Sequence, residues 1–277
     1  MCEFCTQHGE GKRWYLNLQN YAADLLDEVD RKGFIRQFYQ QIISKGSRNI
    51  TRLEKMFKRT PAIHSRIAGE YTRQMKKDHF GQVVAKEELT EILSSANSIV
   101  RMACACRWEA QRRERRSCFG VSFGPPHWYD EVDMQYFGSP EVSRFEALSK
   151  HEARQAIDSL DAAGLVHSVW TFQTPFIGAI CNCDAAYCLA MRTTCALNMA
   201  TMFRGEEVAI IDAQECTGCR ACIEKCQFKA IQYLEAERKC QTDLRACYGC
   251  GVCRSACEAQ AIALVDRSTR AECASLW

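Results

Sequence analysis

The sequence predicts an α+β protein in two parts. A mostly helical N-terminal domain over residues 1–203 includes a winged-helix-like unit, and a small cysteine-dense domain spans 204–277. Three observations carry this. Apolar residues recur at helical spacing through the first hundred positions. A capping box, a helix and two strands occupy the stretch around 149–181. Two matching cysteine quartets stand near the C-terminus. The 277 residues fit one large or two modest domains, and a composition 47% hydrophobic is enough to bury a core.

The N-terminal elements follow from period. Leu25, Leu26, Val29, Phe34, Ile35, Phe38 and Ile42 recur at helical spacing, and Gly46-Ser47 is expected to end that helix. Shorter helices are expected over residues 50–59 and 62–78. Another runs over 87–100, with Leu89, Ile92, Leu93, Ala96 and Ile99 on one face. Ser149-Lys-His-Glu152 reads as a capping box opening a helix through Ala153, Ala156, Ile157 and Leu160, stopped by Gly164. Strands over 165–171 and 176–181 follow, with Thr174-Pro175 turning between them. Helix plus hairpin gives the winged-helix-like shape, which alone does not license a nucleic-acid claim.

The quartets carry the chemistry. They are Cys216-x2-Cys219-x2-Cys222-x3-Cys226 and Cys247-x2-Cys250-x2-Cys253-x3-Cys257, and they align without gaps as an internal repeat that includes Gly218/Gly249, Ala230/Ala261 and Ile231/Ile262. Two residues between cysteines let consecutive thiolates each take a different corner of a [4Fe–4S] cubane. A glycine in the loop permits the close approach that points amides at sulfur. The Ala-Ile pair after each run is expected to start a strand. Zinc usually wants four ligands as two separated pairs, and disulfides need an oxidising compartment, so neither fits two repeated quartets well.

This pattern closely resembles the bacterial two-cluster ferredoxins over roughly residues 204–270. The resemblance implies a dicluster ferredoxin-like fold with two [4Fe–4S] clusters and crossed ligation. Cys216, Cys219 and Cys222 would share one cluster with Cys257; Cys247, Cys250 and Cys253 would share the other with Cys226. One departure is visible. The family usually has proline after the fourth cysteine, and this chain has Gln227 and Glu258. The opening Cys2–Leu16 segment and the stretch Trp170–Asp184 are similar to uncharacterised iron–sulfur proteins of anaerobic bacteria, a resemblance that carries no known reaction.

Of the nineteen cysteines, eleven lie outside the quartets. Eight of these form tight groups: Cys2 and Cys5; Cys104, Cys106 and Cys118; Cys181, Cys183 and Cys188. They are candidate ligands of one or two further metal centres. The preferred version is a third [4Fe–4S] cluster built from four of the six between Cys104 and Cys188, with zinc as the alternative. Cys181 and Cys183 are expected at a strand end, ahead of a helix start at Asp184. Cys195, Cys240 and Cys273 are isolated and read as ordinary small residues.

The rest of the composition excludes more than it assigns. Formal net charge is +2. Two clusters would bring it to about −2 and three to about −4, so no nucleic-acid partner is expected. The run Arg112-Arg113-Glu114-Arg115-Arg116 reads as a solvated helix face before it reads as a docking site. There is no nucleotide-binding glycine fingerprint, no transmembrane stretch and no basic-then-apolar leader, so a cytoplasmic location is expected. The expected role is relay of single low-potential electrons between redox partners, as a subunit or partner of an anaerobic oxidoreductase system. No catalytic residue is assigned. The alternatives are a redox enzyme whose N-terminal domain binds substrate or flavin, and a cluster-dependent redox sensor.

Overall fold

The computed structural model describes residues 43–78, 81–113, 115–123, 145–170 and 178–276. The stripe from Leu25 to Ile42, Cys2, Cys5 and the Thr174-Pro175 turn lie outside them. The first two helices are α1 (Ile43–Arg59) and α2 (Pro61–Asp78). Gly46-Ser47 does not end a helix; α1 runs straight through it. The glycine serves proximity instead: a Cβ on Gly46 would stand 3.3 Å from the Leu189 side chain.

Next come β1 (Gly81–Val83), α3 (Lys86–Ser95), β2 (Ser98–Ala103), α4 (Ala105–Gln111), β3 (Arg116–Ser122), β4 (Glu146–Leu148), α5 (Lys150–Ala162), β5 (Val166–Trp170) and β6 (Ala179–Cys183). The strands form one antiparallel sheet in the order β1-β5-β6-β3-β2-β4. The described residues of the N-terminal part thus add a six-stranded antiparallel sheet to the expected helices. The helix expected through Val100 stops at Ser95, because the β-branched pair Ile99-Val100 belongs to a central strand. The capping box is present, with Ser149 accepting from the Glu152 backbone and Glu152 closing back on Ser149. The β5–β6 hairpin also forms. It is not a projecting wing: β1 and β3 flank it on either side.

The sheet has two different faces, because side chains alternate along a strand. One face is apolar and carries Phe119, Val121, Val169 and Ile180 against Leu89, Ile92 and Leu93 of α3 and Ala153 and Ile157 of α5. Cys118, Cys181 and Cys183 are offset by one residue and belong to the opposite face. A short helix α6 (Leu189–Met191) and a π-turn (Arg192–Ala196) follow β6. Leu197 and Met199 then pack under α1 and α2 with Ile50, Phe57 and Ala68.

The C-terminal segment contains β7 (Glu207–Ile211), α7 (Ala221–Lys225), β8 (Ile231–Leu234), β9 (Lys239–Thr242), a 3-10 turn (Val252–Ala256) and β10 (Ile262–Asp266). β7 pairs with β10, and β8 with β9. Ile231 and Ile262 open β8 and β10, as the repeat predicted. The stretch 203–205 bridges the sheet and this segment through backbone bonds. Phe203 N–H donates to Gly81 O (2.7 Å), Val83 N–H to Phe203 O (3.1 Å) and Gly205 N–H to Tyr248 O (2.8 Å). Arg254 adds an ion pair with Glu87 at 2.7 Å. Among the described residues no helix is long and apolar enough to cross a membrane.

Candidate functional site

The two quartets fold as near copies. Gly218 and Gly249 have φ of 71° and 75°, a region open to glycine. A Cβ on Gly218 would sit 2.2 Å from Arg238 O, and one on Gly249 2.0 Å from Glu207 O. That backbone aims amides at sulfur. Gly218 N–H donates to Cys216 Sγ and Gly249 N–H to Cys247 Sγ, both at 3.4 Å. Cys240 N–H reaches Cys216 and Ala209 N–H reaches Cys247, both at 3.5 Å. Ala230 N–H donates to Cys226 (3.2 Å) and Ala261 N–H to Cys257 (3.3 Å). Donors to sulfur stabilise thiolate, which is the ligating form.

The folding also mixes the runs. Cys216, Cys219, Cys222 and Cys257 line one cavity, so the last cysteine of the second run faces the first three of the first. Cys226 in turn lies within electrostatic range of Cys247, Cys250 and Cys253. The first cavity reaches solvent at the exposed Cys219; Cys247 and Cys253 are buried. Burial pushes Cys222 and Cys253 up to about 12 and Cys250 well up. Cys216 ends below its ordinary value: burial raises it, but the amides of Cys240 and Gly218 outweigh that. Four sulfurs around a cavity, with amide donors at Cys216 and Cys257, fit a [4Fe–4S] cluster, in which every cysteine binds a different iron.

Two arginines mark the second set. Arg267 is buried and donates to Gly205 O (2.9 Å), Glu207 O (3.0 Å) and Cys247 O (2.9 Å). Arg204 donates to Cys247 O (3.0 Å) and lies over the Tyr248 ring. Gln227 stands where the resemblance expects proline, and its side chain has a use that proline lacks. Its Nε2 donates to Gly164 O (3.3 Å), and its Oε1 accepts from Ala185 N–H (3.2 Å). It thereby ties the residue after Cys226 to the loop after Cys183.

That loop belongs to a second constellation. Cys118 on β3 and Cys181 on β6 are direct register partners. Cys104 precedes α4, Cys106 is in its first turn, and Cys188 precedes α6. The six sulfurs close a ring. Cys104 touches Cys106 and Cys118, Cys106 touches Cys188, Cys188 touches Cys183, Cys183 touches Cys181 and Cys181 touches Cys118. Cys181 and Cys183 do not need the expected strand end: both sit inside β6, and residues two apart share a strand face.

The thiol acidities alternate around the ring. Sulfur–sulfur hydrogen bonds hold Cys104 and Cys188 well below the ordinary value and bring Cys181 to about 6. The same bonds push Cys106, Cys118 and Cys183 well up. Backbone N–H groups of Arg107 and Met191 also point at Cys104 and Cys188. Arg107 pairs with Asp184 and lies 4.5 Å over the Tyr187 ring.

The cysteines read as isolated divide. Cys240 is no bystander: it lines the first cavity beside Cys216 and Cys222. Cys195, pushed to about 12 by burial, lies within electrostatic range of both Cys188 and Cys226. Cys273 is an ordinary buried thiol with weak bonds to backbone carbonyls. The arginine run is no continuous helix face: Arg112 caps α4 with φ of 53°, and Arg116 begins β3 and pairs with Glu146.

Against known proteins, a family model for a 4Fe–4S binding domain matches residues 209–232, from β7 through the first quartet into β8. No curated protein matches the chain. With the geometry above, the match makes this an iron–sulfur, ferredoxin-like region that binds at least one [4Fe–4S] cluster. Its general role is electron transfer.

Proposed function

We propose that this chain is an electron relay carrying two [4Fe–4S] clusters with crossed ligands, passing single low-potential electrons between redox protein partners of an oxidoreductase system. One observation carries the reading: Cys257 lines the cavity of Cys216, Cys219 and Cys222, bringing the two runs of the repeat onto one site. Cys226 then belongs with Cys247, Cys250 and Cys253. When bound, each cluster supplies a one-electron couple.

The residues of the chain set the conditions for that couple. At the first site the amides of Gly218 and Cys240 donate to Cys216 and that of Ala261 to Cys257; at the second, those of Gly249 and Ala209 donate to Cys247 and that of Ala230 to Cys226. Arg204 and Arg267 place positive charge beside the second site, which favours its reduced form. The exposed Cys219 makes the first site the one that meets a partner. The two-part division near residue 204 follows one core around the sheet and one around the quartets, with a third core joining the two across the boundary. The test is anaerobic purification with iron and sulfide determination, then dithionite reduction followed by electron paramagnetic resonance. At least about eight irons and the spectrum of two interacting [4Fe–4S]⁺ clusters are expected. Zinc in place of iron, or turnover of a substrate with no redox partner present, would overturn the reading.

A further inference from the structure

The geometry points to one polynuclear iron–sulfur centre held by all six ring thiols, Cys104, Cys106, Cys118, Cys181, Cys183 and Cys188, and seated against the second quartet's ligand set. The inference rests on the electron-relay reading and extends it with a third centre.

The ring itself argues for several metal ions. A tetrahedral zinc site brings four sulfurs around one point, so each of the four neighbours all the others. In the ring each sulfur has two sulfur neighbours and the chain closes on itself. Six thiols around a shared interior suit a cage in which different sulfurs bind different metals. Loading it exchanges protons for metal: each S–H gives its proton to solvent as its S–Fe bond forms, and inorganic sulfide fills the cage.

Charge and donors fit the same centre. Six thiolates in a mostly buried site need cations, and Arg107 alone supplies too little. Amides of Arg107 and Met191 are aimed at Cys104 and Cys188, as those of Gly218 and Gly249 are at the quartets.

Position separates a redox centre from a structural one. Cys183 and Cys188 share a buried core with Tyr248 and Val252, against which Cys181, Cys195 and Cys250 also pack. Gln227 joins the residue after Cys226 to the loop between Cys183 and Cys188. A structural zinc, with no redox chemistry, gains nothing from lying there; an iron–sulfur centre gains a neighbour with which to exchange electrons. The order is then ring, second quartet site, first quartet site, with the last at the surface.

The test uses the full chain, produced anaerobically and reconstituted with ferrous iron and sulfide. Iron, sulfide and zinc are measured per chain, and native mass spectrometry reports the bound mass of the unsubstituted protein. Iron clearly above the about eight of two [4Fe–4S] clusters is expected. The six ring thiols should resist alkylation. Each of the six single Cys→Ala variants should fall back toward about eight while keeping the reduced ferredoxin spectrum. About eight irons with the ring readily alkylated, zinc or disulfides in the ring, or two Cys→Ala variants that retain all the extra iron would each overturn it. Loss of the ferredoxin spectrum in the unsubstituted chain would instead indict the relay reading. Native mass needs no variant, so a substitution that fails to fold leaves the test intact.

Discussion

Cys118 and Cys181 face each other in register across β3 and β6, although more than sixty positions separate them. That pairing merges two cysteine trios into one site. Neither trio completes a four-ligand centre, and each sits in its own local context. The strand ladder joins them, and the Asn182 side chain fixes its register from the other face. Asn182 Nδ2 donates to Ser117 O at 2.7 Å, and its Oδ1 contacts buried His167 at 2.6 Å.

Crossed ligation predicts a specific pattern of non-additivity. Cys216→Ala and Cys257→Ala should each cost one cluster, about four irons, and the double variant should cost no more. Cys216→Ala combined with Cys226→Ala should cost both. Iron determination on the anaerobic proteins checks this, and additive losses for the Cys216/Cys257 pair would refute the crossing.

Cys240→Ala should keep the first cluster. At the matching place in the repeat, Ala209 donates its amide to Cys247 with no thiol at all. What the substitution removes is a sulfur beside Cys216 and Cys222. Iron content should be unchanged, and the reduction potential of one cluster should shift in a titration. Loss of about four irons would instead make Cys240 a ligand.

Arg204→Gln should lower the potential of the second cluster. The guanidinium lies beside the Cys247 carbonyl, and removing positive charge disfavours the added electron. An interaction of about 1.4 kcal/mol corresponds to about 59 mV for a one-electron couple, so a fall of tens of millivolts is the expected scale. A redox titration that leaves both clusters unmoved would refute the assignment of this arginine.

Gly249→Ala should destabilise the loaded protein by about 2 kcal/mol or more, since φ is positive and the new Cβ would meet the Glu207 carbonyl. Urea unfolding under anaerobic conditions measures it. A midpoint unchanged from the unsubstituted protein would show that the loop adapts.

The metal-free chain should weaken in alkali. Cys195, Cys222 and Cys253 are raised from 9.0 to about 12, mainly by burial. Between those values the folded state keeps protons that the unfolded chain releases, so their contribution is full below 9.0 and lost as pH rises toward about 12. Cys181 acts oppositely: lowered to about 6, its contribution is present above 9.0 and lost as pH falls through about 6. Urea midpoints near pH 8 and near pH 10.5 should fall with pH.

By itself the sequence determined what neighbours along the chain decide. Spacing within each quartet, the glycine in each loop and the strand start at Ile231 and Ile262 are local, as is the capping box at Ser149. The 4Fe–4S domain was legible for that reason. The tertiary structure decided what depends on distant pairing. It placed Cys118 with Cys181, Cys240 at the first cavity, and Gln227 across the junction, while the meeting of Cys257 with Cys216 was already implied by the ferredoxin resemblance. It also turned residues 98–100, expected as a helix end, into the start of an interior strand. A thiol carries no mark of which remote thiol it will meet. That is fixed by the register of an antiparallel ladder and by which face of the sheet is left for sulfur once Phe119, Val121, Val169 and Ile180 have filled the other.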